Sequence, residues 1–439
     1  MSEKRSNLFT RDFILVMMST IGTSFVTFFF FSTLPLFADL LTGTVAFTGY
    51  LSLAYSATAL ITRPVCGILA DKSGRVRTLV LGSAFSTVSC LLYTITTGLA
   101  LRNLVLALAL LLVFRVLNGI GMGLNLTSAG AVVADIVPKE RLAEGLGLYG
   151  IAGTIAQAIG PLIALMIVSS GDLNSFNRLF VVSAIFCAIS FTSGCFIKYE
   201  REKKKAALAQ AALEVAAVAD AAVVDAAVAE AAVPESLPEV EEPEGKTFLG
   251  FDRKVLSPAV VTVLYFFGIS GVFTFLTLFG RVSGFQVEYV GWFFFASALG
   301  IMVARLFFGR IVDRRGPDII VIPGFIIVAV CLFLIPLSPS LPFMIFIGLP
   351  YGVANGAVGP NIQATMFKRC SPKRRGTVSA AYTMAIDIGI TLGAPALGIV
   401  ADLLGFSWVY WFSAISVLAA LVVYLIFVSG WKHKFERGF

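Results

Sequence analysis

Charge is what this sequence has least of: Asp, Glu, Lys and Arg together make up 13% of its 439 residues, against 58% hydrophobic residues. So small a polar fraction cannot cover a water-soluble globule of this length, and the chain belongs in lipid. Histidine is nearly absent, with His433 the single copy. That excludes a histidine-ligated metal centre and an intramembrane histidine proton relay. The six cysteines show no paired spacing of the kind that marks a disulfide framework or a zinc site. Paired catalytic acids, a nucleophile constellation and a phosphate-binding loop are also missing from the apolar stretches, so an enzyme is not expected, nor any metal or cofactor. Acidic residues are outnumbered, and the net charge is +7. The basic runs Lys203-Lys204-Lys205 and Lys373-Arg374-Arg375 fall in loops beside a membrane, so the expected partner is the lipid bilayer and not nucleic acid.

What the chain has in abundance is long apolar runs. The first, Phe13 to Phe37, contains no charge and exceeds the roughly 20 residues that cross a hydrocarbon core. Its length and the lack of a small-residue cleavage site predict a permanent helix and not a removable leader. Eleven more follow, near 46–69, 78–98, 103–133, 143–168, 176–197, 256–280, 287–312, 318–337, 341–366, 376–400 and 406–429. Twelve spans place both termini on one side. The short loops after helices 2, 4, 8 and 10 are rich in Lys and Arg, including Arg75, Arg141, Arg315 and Arg374, whereas the other face shows Arg102, Arg178 and Arg281. Basic loops stay on the cytoplasmic side, which predicts cytoplasmic termini in a plasma or bacterial inner membrane.

The chain is internally duplicated. Arg63, Gly67, Asp71 and Gly74 in and after helix 2 repeat as Arg305, Gly309, Asp313 and Gly316 in and after helix 8, with the spacing R-x3-G-x3-D-x2-G in both. Gly160-Pro161 in helix 5 is echoed by Gly393-Ala394-Pro395 in helix 11. The expected architecture is an all-α polytopic membrane protein of two pseudo-symmetric six-helix bundles, residues 1–197 and 256–439. Residues 198–255 read as a cytoplasmic linker: an Ala/Val tract interrupted by Glu214, Asp220, Asp225 and Glu230, then a Pro/Glu-rich stretch. Those four carboxylates argue against a thirteenth span.

The string Gly67-Ile68-Leu69-Ala70-Asp71-Lys72-Ser73-Gly74-Arg75 resembles the signature of the major facilitator superfamily in the loop between helices 2 and 3. Read from the residues, Gly67 admits a close neighbour, Asp71 ends the helix and Gly74 permits a tight turn. The resemblance implies the major-facilitator fold, and implies that Asp71 and Arg75 form a latch between bundles at the cytoplasmic side. Gly309, Asp313 and Gly316 form the second copy, with Pro317-Asp318 where a basic residue is usual. Helix 4 carries Arg115-Val116-Leu117-Asn118-Gly119, similar to the family's helix 4 pattern with Asn118 in place of Gln, and the resemblance implies a proton-coupling role for Arg115. An arginine snorkelling to the interface is the alternative. The segment Gly150 to Pro161 resembles the glycine-rich helix 5 motif of the drug:proton antiporter branch. Small residues at Ala152, Ala156, Gly160 and Ala164, and at Ala296, Gly300 and Ala304 in helix 8, are expected to let helices of opposite bundles touch, with Pro161 bending helix 5.

Asp387 is an acid near the middle of helix 11, which must be protonated, paired or in water. It is read as a protonation site, the alternative being a static ion pair with Arg63 or Arg115. Asp39 and Asp135 are read as interfacial. In the resembled fold helices 1, 4, 7 and 10 line a central cavity, which implies that substrate meets Thr23, Thr27, Asn118, Asn125, Tyr265, Thr274, Asn355 and Asn361. Much of the phenylalanine is read as lipid-compatible packing, the run Phe28 to Phe31 partly facing lipid. The resulting expectation is a monomeric secondary transporter exporting a small amphipathic or metabolite-like molecule in exchange for protons, the coupling ion. A proton symporter or uniporter importing a carboxylate or sugar is an alternative, and a non-transporting membrane sensor is another.

Overall fold

In a computed structural model, residues 8–138, 141–200, 247–248, 251–369 and 375–429 are described. Among these residues twelve helices are long and apolar enough to cross a membrane. The first six are α1 (Arg11–Thr42), α2 (Val45–Ser73), α3 (Arg75–Ala100), α4 (Leu104–Ile136), α5 (Leu142–Ile167) and α6 (Leu173–Cys195). The second six are α7 (Arg253–Val282), α8 (Val287–Arg315), α9 (Asp318–Leu334), α10 (Leu341–Lys368), α11 (Arg375–Leu404) and α12 (Phe406–Val423). A minimal antiparallel pair, β1 (Thr247–Phe248) and β2 (Phe251–Asp252), precedes α7. Most of the linker, together with Cys370, Lys373-Arg374 and His433, lies outside the described residues.

The helix boundaries have local causes. Thr10 caps α1 by accepting from the Phe13 amide at 3.2 Å, Asn103 caps α4 through Leu106, and Asp172 caps α6 through Ser175. Gly74 and Gly316, the repeated turn glycines, have φ of +105° and +84°, a region that side chains with a Cβ rarely enter. Their equivalence is the backbone reason for the repeated spacing.

Packing repeats with a shift of six helices. In the first bundle α1 lies on α5 and α6, and α4 lies on α2 and α3; in the second α7 lies on α11 and α12, and α10 on α8 and α9. Between bundles, α2 meets α11 and α5 meets α8, two seams that the pseudo-symmetry interchanges, while α1 meets α7.

Within each bundle the close approaches are made by small residues. Gly119 of α4 lies against the backbone of Tyr55 in α2, and Gly121 against Gly82 and Ser86 of α3. The expected contact between opposite bundles through the α5 and α8 stripes is corrected. Gly160 packs on Phe25 and Phe28 of α1, with Ala152, Ala156 and Ala164 fully buried. Gly300 packs on Leu349 and Val353 of α10, and Ala296 and Ala304 flank Gly348 and Gly356 of that same helix. Both stripes are thus spent inside their own bundles, where backbones must come closest. The seam itself is made by Ile151, Thr154, Ile155, Ala158 and Ile159 facing Phe295, Ala298, Leu299 and Met302. Pro161 sits inside α5, which continues unbroken to Ile167.

The phenylalanine run is also corrected. Phe29 and Phe30 are fully buried, and the half-buried Phe28 and Phe31 lie 6.3 and 6.1 Å from Phe273 of α7. Helix α1 is enclosed by its neighbours, so all four rings find protein. Among the described cysteines none is bonded to another; the Cys90 and Cys187 thiols approach at 3.7 Å between α3 and α6.

Candidate functional site

The α2–α11 seam holds an ion pair inside the membrane-spanning region. Arg63 Nε stands 2.7 Å from Asp387 Oδ2, and Nη2 donates to Oδ1 at 3.1 Å. Asp387 is 8% exposed. Its helix is drawn toward α7 at Gly389 and Gly393, where the α7 backbone leaves no room for a Cβ. The carboxylate therefore faces away from α7 and toward α2. The pair spans the two bundles, so each charge is satisfied only while they stay in register. The ion pair is thus a charged contact that bridges the two bundles across the α2–α11 seam.

Arg115 is not the partner of Asp387. It is 2% exposed in α4, with its guanidinium 4.2 Å from the centre of the Tyr55 ring and 5.8 Å from that of Phe30. Nη1 donates to Asn118 Oδ1 at 3.3 Å, and Nε has no partner. Among the described residues no carboxylate comes within 4.0 Å of it. A buried cation held by two aromatic faces and an amide retains attraction for an anion. The snorkelling alternative is not what the burial shows.

The other expected cavity residues divide. Thr27 donates to the Thr23 carbonyl and to Met122 Sδ, one turn from Asn118 on the neighbouring helix. Tyr265 donates to Asn355 Oδ1 at 2.9 Å, tying α7 to α10. Thr274 is buried with its hydroxyl unpartnered, and Asn361 donates to the Ala357 carbonyl of its own helix. Thr23 and Asn125 are placed elsewhere than in a substrate wall. Ser190 of α6 meets both Thr23 and Ser19 at 2.9 Å, and Asn125 Nδ2 donates to Ser83 of α3 at 2.7 Å. This Ser/Thr/Asn cluster ties α1, α3, α4 and α6 together inside the first bundle, as polar groups do where no water can serve them.

At the end opposite the basic loops, the bundles are pinned by residues that sequence reading missed or undervalued. Asp402, near the end of α11, accepts from the Val45 amide at 2.9 Å and the Ala46 amide at 2.7 Å. It thereby caps α2, whose own N-cap Thr44 makes no side-chain bond to the helix's first amides. Asp39 of α1 pairs with Arg281 of α7 at 3.2 Å. Gly49 leaves room for the α11 backbone, since a Cβ there would stand 2.7 Å from Pro395 Cα. A signal for Asp402 existed in the sequence: Gly398-Ile399-Val400-Ala401-Asp402 repeats the pattern of Gly67-Ile68-Leu69-Ala70-Asp71.

The family model described as Major Facilitator Superfamily matches residues 16–394 and 259–438. The chain belongs to the major facilitator superfamily. Among its relatives, the staphylopine export protein of Staphylococcus aureus is 22% identical over 423 residues, covering 94% of each chain. The multidrug resistance protein MdtG of Citrobacter koseri is 25% identical over 429 residues, covering 92% of this chain and 90% of that protein. The crystal structure of a D-xylose–proton symporter superposes with a TM-score of 0.72 at 15% identity, over 95% of this chain and 98% of the other, which shows the shared fold. The protein is thus a multi-pass membrane transporter of this superfamily.

The superfamily's signature loop is engaged within its own bundle in this conformation. Arg75 Nη1 lies 2.7 Å from Asp135 Oδ1 at the end of α4 and donates to the Ala131 carbonyl. Tyr199, just past α6, donates to Asp135, and Glu200 accepts from the Arg75 and Val76 amides, capping α3. Burial, and then the Asp135 carboxylate it bonds, raise the Tyr199 phenol above its ordinary value, so it remains a donor at neutral pH. Among the described residues no atom lies within 4 Å of where a Cβ would stand at Gly67. The side-chain surroundings of Asp71, Gly309 and Asp313 lie outside the described residues.

Proposed function

We propose that this transporter exports a small amphipathic or metabolite-like molecule in exchange for protons, by alternating access between the bundles. The observation that carries the reading is the Arg63–Asp387 pair. It is a titratable bond between two bodies that must move, placed where a proton arriving from either side changes how firmly they adhere. The names of the staphylopine exporter and MdtG support the outward direction. The basic loops support a cytoplasmic position for that end and for both termini, in a plasma or bacterial inner membrane. Substrate binding between the bundles competes with the proton: the protonated carrier loosens the α2–α11 seam, and substrate leaves as the acid is loaded. The carrier acts as a monomer, with protons as coupling ions and no cofactor.

Proteoliposomes with an imposed pH gradient test this. A panel of labelled amphipathic acids, amines and neutral metabolites is presented, and at least one compound should move opposite to the proton. Asp387→Asn should abolish gradient-driven movement while leaving exchange down a substrate gradient. Movement in the direction of the proton would replace export with symport, and a panel in which nothing moves would favour a sensor.

A further inference from the structure

The duplication places an arginine on each seam, and among the described residues only one of the two is met by a carboxylate. Arg63 of α2 and Arg305 of α8 occupy the same position of the repeated R-x3-G-x3-D-x2-G pattern. Each lies at its seam with the other bundle: Arg63 against α11, Arg305 against α5. The α5 helix is matched to α11 by Pro161 and Pro395. Counting back eight residues from Pro395 gives Asp387; the same step from Pro161 gives Gly153. Where α11 presents an acid to Arg63, the matching position of α5 is a glycine, with no described atom within 4 Å of where its Cβ would stand. Its Nη1 lies 3.4 Å from where a Cβ would stand at Gly150, one turn away on α5.

Arg305 is exposed, and among the described residues it makes no ion pair or hydrogen bond. Beside it, a groove of about 140 Å³ runs up the seam between Ile151, Ile155 and Ile159 on one wall and Phe295, Leu299 and Met302 on the other. A cation at one end of an apolar slot, on a seam whose twin is neutralised by a carboxylate, lacks one chemical group. We propose that Arg305 binds the anionic group of the substrate, and that the substrate is an amphipathic monoanion whose apolar body enters the α5–α8 groove.

The inference deepens the export reading and rests on it for the word substrate, but the binding site stands by itself. A planar guanidinium takes a carboxylate by two parallel hydrogen bonds. The glycines at 150 and 153 keep α5 from filling the place where that carboxylate would lie.

The test measures binding without transport or a proton gradient, so its failure is separable from failure of the antiport reading. Full-length protein in detergent is melted with 3-phenylpropionate and octanoate, and with their primary amides. The acids should raise the melting temperature and the amides should not. Arg305→Gln should weaken the acids' apparent affinity at least tenfold, with Arg305→Lys intermediate. Gly153→Asp, at a position with no described atom within 4 Å of the new Cβ, supplies the missing partner in cis and should remove the response to acids while leaving the fold intact. Equal responses to acids and amides, or an acid response that survives both Arg305→Gln and Gly153→Asp, would overturn the proposal.

Discussion

Asp402 lets the balance between conformations be set by one residue. Its carboxylate caps α2 from the other bundle, accepting from the first two amides of that helix at 2.9 and 2.7 Å. Truncating an N-cap costs about 0.5–2 kcal/mol, and removing a negative charge from a helix N-terminus about 0.3–1 kcal/mol, terms that overlap here. Because the cap is provided across the seam, this energy belongs to the conformation closed at this end and vanishes when the end opens. Asp402→Ala should therefore move the equilibrium toward opening by about 1–2 kcal/mol, roughly 5–30-fold in population. Spin labels at Leu101 and Leu337, just past α3 and α9 in opposite bundles at that end, report the change as growth of a longer distance in pulsed electron resonance. Asn keeps one of the two acceptor oxygens and loses the charge, so Asp402→Asn should fall between the native distribution and that of Asp402→Ala. If Asp402→Ala leaves the distances unchanged, or Asn and Ala behave alike, the capping account is wrong.

Three further outcomes follow from the packing. Arg63→Met and Asp387→Asn should each destabilise the detergent-purified protein by about 1–3 kcal/mol, below the usual range for a fully buried pair because the Arg63 side chain is 25% exposed, while the double variant recovers part of the loss in thermal melts. Asn125→Ala should cost about 0.6–2 kcal/mol through the α1–α3–α4–α6 cluster without altering the affinity for any transported compound, which distinguishes a packing residue from a cavity residue. Gly300→Ala should lose about 1–3 kcal/mol by forcing α8 from α10, whereas Gly67→Ala, with no described atom within 4 Å of the new Cβ, should be neutral or slightly stabilising in the same melting assay.

The helices and their duplication were readable because they rest on one-dimensional properties: run length, charge bias and residue spacing. The twelve apolar runs correspond to the twelve membrane-length helices, and the repeated glycine spacing became two positive-φ turns. Orientation of side chains about each helix axis was not readable. Spans such as α1 and α4 are apolar on every side, so no contrast between faces marks which one looks inward. For that reason Thr23 and Asn125 were expected in a cavity and lie in a polar knot, and the α5 and α8 small-residue stripes were assigned to the wrong neighbours. Asp387 was legible because a carboxylate in hydrocarbon always needs an explanation. Of the two partners considered for it, only geometry could select Arg63 over Arg115. Asp402 escaped notice because an acid near a helix end looks ordinary until the helix it serves is seen to belong to the other half.

The paired seams have a mechanical consequence. An ancestral duplication makes them equivalent by descent, yet one is fastened by opposite charges and the other is lined with isoleucine, leucine and methionine beside a solitary guanidinium. Grease yields to sliding at almost any angle, whereas an ionic clasp tolerates one alignment and then lets go. The halves should accordingly part as the covers of a book do, with α5 and α8 forming the spine and α2 and α11 the free edge.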